Sequence, residues 1–105
     1  MIEVSIAWDL LPNIDQEAYA KWGQKTAIGL LQAPGLVEFR ANRNILGTPQ
    51  ARSTTVWQSL ADWANYTDSD EWRANEEEIR GYATNLRVEI WGPSPVVPEP
   101  LRPSL

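Results

Sequence analysis

Four stretches of this chain alternate apolar and polar residues with a period of two. Helix-length stretches separate the first from the second and the third from the fourth. In residues 2–9, "IEVSIAWD", Ile2, Val4, Ile6 and Trp8 fall on one face and Glu3, Ser5, Ala7 and Asp9 on the other, the signature of a half-buried strand. Pro12 stops that ladder, since it has no N–H to donate. Asn13 with Gln16 makes a capping pair for a helix over about residues 14–32, on which Ala18, Trp22, Thr26 and Gly29 or Leu30 form a stripe. Gly23, Ala27 and Gly29 are small, so this helix admits a close neighbour. "APG" at 33–35 ends it.

"LVEFRANRN" then sets Val37, Phe39 and Ala41 against Leu36, Glu38 and Arg40. After a turn at "LGTPQ", "ARSTTVWQ" sets Thr54 and Val56 against Ser53, Thr55 and Trp57. Ser59 with Asp62 opens a short helix. Asp68 or Ser69 caps another, with Asp70 and Glu71 in the first turn, where the helix dipole favours them, and Gly81 as its stop. "TNLRVEIWG" alternates Leu86, Val88 and Ile90 with Arg87, Glu89 and Trp91. The order β-α-β-β-α-β predicts a ferredoxin-like α+β fold: a four-stranded antiparallel sheet with its helices on one face. The 105 residues make one domain over 1–92, followed by an arm over 93–105 whose five prolines exclude a regular helix or central strand.

The helices are expected to take the greasier strand faces, with Ile2, Val4, Ile6, Val37, Phe39, Val56, Leu86, Val88 and Ile90. The face left open then holds Glu3, Ser5, Leu36, Glu38, Arg40, Thr55, Trp57, Arg87, Glu89 and Trp91. Two indoles and five charges on one sheet face predict an interface between two copies of the chain. Glu38, Arg40, Trp57, Arg87, Glu89 and Trp91 would be buried there, with the charges paired, because an unpaired buried charge costs several kcal/mol.

Composition removes several kinds of chemistry. There is no histidine and no cysteine, so no Ser-His-Asp or Cys-His triad, thiolate metal site or disulfide can form. The net charge is -5 and no basic patch appears, so no nucleic-acid partner is expected. No apolar run approaches the roughly 18 residues of a membrane span. Nor does the chain open on a charged-then-apolar leader. The expectation is a cytoplasmic protein.

"VWQSLADWANYTDSDEWRANEEE" after a turn and strand, with "PGLVEFRANRN" after the first helix, resembles the antibiotic-biosynthesis-monooxygenase-like members of the dimeric α/β-barrel superfamily, over residues 1–92. The resemblance implies a homodimer whose two sheets close a barrel, with a pocket in each subunit between helices and sheet. Some members oxygenate aromatic polyketide-like molecules without metal or flavin; the electron-rich phenolate reacts with oxygen while the protein orients and deprotonates it. Others degrade haem. In that branch the axial histidine falls at Glu76 here, the pocket tryptophan at Tyr66 and the strand-one amide near Ser5 or Ala7. A carboxylate is a poor substitute for imidazole on haem iron. No cofactor and no metal are expected.

The resemblance puts Tyr66 at a pocket position and makes it the candidate catalytic residue; Trp22, Trp63, Asn65 and Trp72 are candidate walls of a slot for a planar aromatic, phenolic or quinone-like molecule. A phenol of pKa near 10 can donate to a substrate hydroxyl or, once perturbed, take its proton. Trp63 and Trp72 can equally be core, and Tyr66 a rim residue. An oxygenase of secondary metabolism, a non-catalytic binding or accessory protein, and a structural dimer with a filled core all stay open.

Overall fold

The structure is a computed structural model and describes residues 1–104. Strand β1 (Ile2–Leu10) leads to helix α1 (Gln16–Leu30). Strands β2 (Leu36–Arg43) and β3 (Ala51–Trp57) form a hairpin. Helices α2 (Leu60–Thr67) and α3 (Asp70–Ile79) follow, and β4 (Ala83–Trp91) closes the sheet. The strand order is β2-β3-β1-β4, with all three pairings antiparallel. The expected ferredoxin-like α+β plan is the observed one. Residues 92–104 form no helix or strand, and Leu105 of the expected 93–105 arm lies outside the described residues. Among the described residues, no helix is long and apolar enough to cross a membrane.

Two of the three helix starts follow the sequence signals. Ser59 accepts a hydrogen bond from the Asp62 backbone N–H at 3.1 Å, and Ser69 accepts one from Trp72 N–H at 3.1 Å. Each satisfies a donor that the first helical turn leaves orphaned. At α1 the cap is Asp15, whose carboxylate accepts from Ala18 N–H at 3.0 Å. Asn13, expected in that role, instead takes a left-handed turn conformation with φ 59°, which asparagine tolerates better than most residues.

The sheet faces differ from expectation at β3. Cα partners in an antiparallel pair share a face, and the register aligns Ile2 with Trp57 and Val4 with Thr55. Trp57 and Thr55 therefore lie on the helix side, and Val56 lies on the open side with Glu3. Trp57 is fully buried, so it belongs to the core and is no interface residue. A register shift between Leu36 and Glu38 in β2 turns both Leu36 and Phe39 onto the core and leaves Val37 exposed. In β4, Val88 and Ile90 pair with Ile6 and Val4 but remain about half exposed. The helices centre on the interior of the sheet and leave this edge strand uncovered.

The core has two centres. Val4, Leu30, Trp57, Trp63 and Tyr66 form one. Trp8, Ile79 and Ala83 form the other, with Trp22 packed against it.

Candidate functional site

The aromatic residues that the sequence grouped together separate into these two centres. Trp57, Trp63, Tyr66 and Trp72 interlock: the Trp57 and Tyr66 rings lie 5.3 Å apart, and Trp63 meets Trp72 edge-on at 5.2 Å. Such edge-to-face contacts suit the ring quadrupole. The Trp57 indole N–H donates to Thr55 Oγ1 at 2.7 Å, so its burial leaves no orphaned donor. Trp22 instead stacks on Tyr19 at 5.9 Å and lies 5.9 Å from Tyr82; Trp8 donates to the Tyr19 hydroxyl at 3.2 Å. The Trp22 indole nitrogen is buried with no hydrogen-bond partner among the described residues. The structure therefore does not join Trp22 with Trp63, Tyr66 and Trp72 into one slot.

Tyr66 and Asn65 do reach a concave site. A cleft of about 640 Å³ opens between the C-terminal end of α1 and the α2–α3 pair, lined by Gly29, Gln32, Ala33, Pro34, Asp62, Asn65, Tyr66, Ser69 and Glu71. Trp63 and Trp72 stand behind Tyr66 as packing and do not line it. The bend at Asp68–Ser69 positions the site: it lets α2 present Tyr66 while the first turn of α3 swings Glu71 toward α1. The Ser69 hydroxyl holds the bend by donating to the Tyr66 carbonyl at 2.6 Å.

Tyr66 is only 8% exposed. Its hydroxyl accepts from the Asn75 side-chain amide at 3.4 Å, and Asn75 in turn accepts from Thr26 at 3.5 Å, a relay across α2, α3 and α1. Burial pushes the phenol above its usual pKa, the Glu71 carboxylate adds to that, and the Asn75 hydrogen bond offsets part of it. Near neutral pH this group therefore keeps its proton and is a poor base. Its own proton goes to no described residue.

Of the lining residues only Asn65 and Tyr66 were expected at a site; Gln32 and the two carboxylates, Asp62 and Glu71, were not. Both carboxylates press against glycines. A Cβ on Gly29 would collide with the Glu71 carboxylate, and one on Gly35, at φ 85°, would collide with that of Asp62. The small residues on the first helix were the legible signal, since Gly29 admits Glu71. Nothing in the spacing of 62 and 71 indicates that they converge.

On the open sheet face the register stacks residues in rows. Glu38, Val56, Glu3 and Trp91 form one row; Arg40, Thr54, Ser5 and Glu89 the next; Asn42, Arg52, Ala7 and Arg87 the third. Arg40 pairs with Glu38 and with Glu3, the latter at 3.6 Å. Arg87 and Glu89, expected to join a buried ionic cluster, are exposed and make no ion pair among the described residues, and Trp91 is 56% exposed. In a single chain this cluster is solvated. Glu76, the position of the haem-branch histidine, is an exposed helix residue paired with Arg80 at 3.6 Å.

No family model matches the sequence, nor does any curated protein. The structure is similar to solved ones. SnoaB, a cofactor-independent oxygenase from Streptomyces nogalater, matches with a TM-score of 0.76 at 12% identity, over 93% of this chain and 97% of that one. A Nitrosomonas europaea protein provisionally assigned as an antibiotic biosynthesis monooxygenase matches at 0.72 and 12%, over 88% of this chain and 97% of that one. Rv0793 from Mycobacterium tuberculosis matches at 0.76 and 11%, over 89% and 94%. The chain thus has the ferredoxin-like fold of the antibiotic-biosynthesis-monooxygenase-like proteins.

Proposed function

We propose that the protein binds a planar aromatic small molecule in the cleft beside Tyr66, and that it acts on that molecule as a cofactor-independent oxygenase. The observation that carries this reading is the cleft itself: a recess of about 640 Å³ with a buried phenol in its wall whose proton is free to be donated. Pockets of roughly 300–1,000 Å³ accept drug-sized ligands. Fold likeness to SnoaB, a cofactor-independent oxygenase, supports the reaction type by analogy. In this reading dioxygen oxidises an electron-rich phenolic substrate to a quinone: one oxygen atom replaces a ring hydrogen, and the other leaves as water with that hydrogen and the phenol's own proton, which passes through solvent. Tyr66 donates to a substrate oxygen and fixes the ring's orientation, and Asn65 and Gln32 offer side-chain amides to further substituents. Oxygen consumption with 1-naphthol, with 1,4-naphthoquinone as the product, tests it. Uptake above the protein-free rate, reduced about tenfold or more in Tyr66→Phe, is the expected result. Saturable binding without uptake would instead identify a non-catalytic binding protein of the same fold.

A second copy of the chain completes this proposal. The three rows of the open face run from acidic (Glu38, Glu3) to basic (Arg52, Arg87). A two-fold axis parallel to the rows sets the acidic row of one chain against the basic row of the other, and covers Trp91. Such pairing supports register more than affinity, because desolvating the charges offsets most of the Coulomb gain.

A further inference from the structure

We propose that the Tyr66 cleft selects aromatic molecules that carry a positive charge, a ring bearing a protonated amino group. This rests on reading the cleft as the ligand site, and adds the chemistry of the guest. Asp62 and Glu71 supply carboxylates to the wall, and no Lys or Arg is among the described lining residues. The first carboxylate accepts from the Ser59 hydroxyl at 2.9 Å; the second makes no hydrogen bond or ion pair to a described residue. Each is seated against a glycine of the α1 side, so the charges border the recess from two directions.

The backbone adds to the same sign. The cleft lies at the C-terminal end of α1, where the helix dipole is negative and the last turn holds no basic residue. The N-terminal end of α3 also faces it, but Asp70 and Glu71 in that first turn offset its positive field. Tyr66 lines the same cleft; it is more than nine-tenths buried, and its hydroxyl accepts from the Asn75 amide while its own proton is donated to no described residue. Burial is the main cause that raises the Tyr66 pKa and the Glu71 carboxylate adds to it, so a phenolate guest beside Tyr66 meets the resistance of both. An ammonium on the guest would relieve that resistance and let a phenolic oxygen on the same ring approach Tyr66.

Calorimetric titration of the full chain with 1-naphthylmethylamine, 1-naphthol and 1-naphthoate, at neutral pH and low salt, tests this. The Gln32 and Asn65 side-chain amide resonances report whether the cleft is occupied. The amine should bind at least about tenfold more tightly than the carboxylate, a factor in reach of two carboxylates at partly exposed sites. Glu71→Gln should cut that ratio several-fold, and so should raising the salt. Glu71 is exposed, so the variant is expected to fold; Asp62→Asn gives the same test through the other carboxylate. Equal binding of amine and carboxylate, or a preference that survives both variants, overturns the proposal. If 1-naphthol moves the two amide resonances without any charge preference, the cleft stands as the ligand site and the cationic guest falls. If none of the three probes moves them, both fall.

Discussion

Trp57 fills the space between β3 and α2, and its indole N–H is satisfied only by Thr55. Trp57→Ala should cost about 3–5 kcal/mol in denaturant unfolding, the range for emptying a large buried aromatic site. Thr55→Val keeps the shape and removes the acceptor. It should cost about 1–3 kcal/mol, the penalty of an orphaned buried donor, and a loss below a few tenths would show that the bond contributes nothing. Tyr66 carries a pH signature. Its folded pKa lies above the ordinary tyrosine value, so the native state holds its proton where the unfolded chain has released it. That stabilisation is complete below about pH 10 and is lost as pH rises from there through the folded value. Tyr66→Phe should flatten this part of the alkaline unfolding profile; an unchanged profile would place the phenol in water. The roles of such residues were unevenly legible. The sequence marks Trp63 and Tyr66 as important rings, and Tyr66 does reach a cleft. It does not separate Trp22 from them, because one helix stripe can face either core centre.

The helices hold the cleft open at the level of elements. Ser59 and Ser69 cap α2 and α3, and each substitution to alanine should cost about 1 kcal/mol. Ser69→Ala should cost more of the cleft than of the fold, since the same hydroxyl ties α3 to the Tyr66 carbonyl. Fluorescence-detected ligand affinity beside a melting curve would separate the two effects. Element order and type could be read from periodicity and caps, and they match the structure. Strand phase was harder. In β3 both faces offer a β-branched pair or an aromatic, so alternation alone cannot say whether Val56 or Trp57 turns inward; helix-side volume decides for Trp57. In β2 a one-residue bulge at Val37 rescues Leu36 for the core, and bulges leave no mark in a two-residue period.

The whole molecule leaves apolar surface unspent. Leu86, Val88 and Ile90 are 40–53% exposed along β4, Trp91 is 56% exposed on the opposite face, and Val96 and Leu101 of the proline-rich arm are nearly free. The radius of gyration is 15.1 Å, against about 13 Å for a compact chain of this length, which fits an arm that stands off the domain. A second copy on the open face would account for Trp91 and the charge rows. Sedimentation equilibrium at micromolar concentration should return twice the chain mass. Reversing the basic row with Arg52→Glu and Arg87→Glu should return a single chain, and a dimer that survives the reversal would place the contact elsewhere. The cleft lies on the helix side and stays accessible in either state. Its occupancy is the claim on which the functional account depends. A crystal structure of the protein soaked with 1-naphthol should show a ring between Pro34 and Tyr66 with its oxygen within hydrogen-bond reach of the phenol. A ring bound on the sheet face, or a cleft holding only water at saturating ligand, would contradict the account.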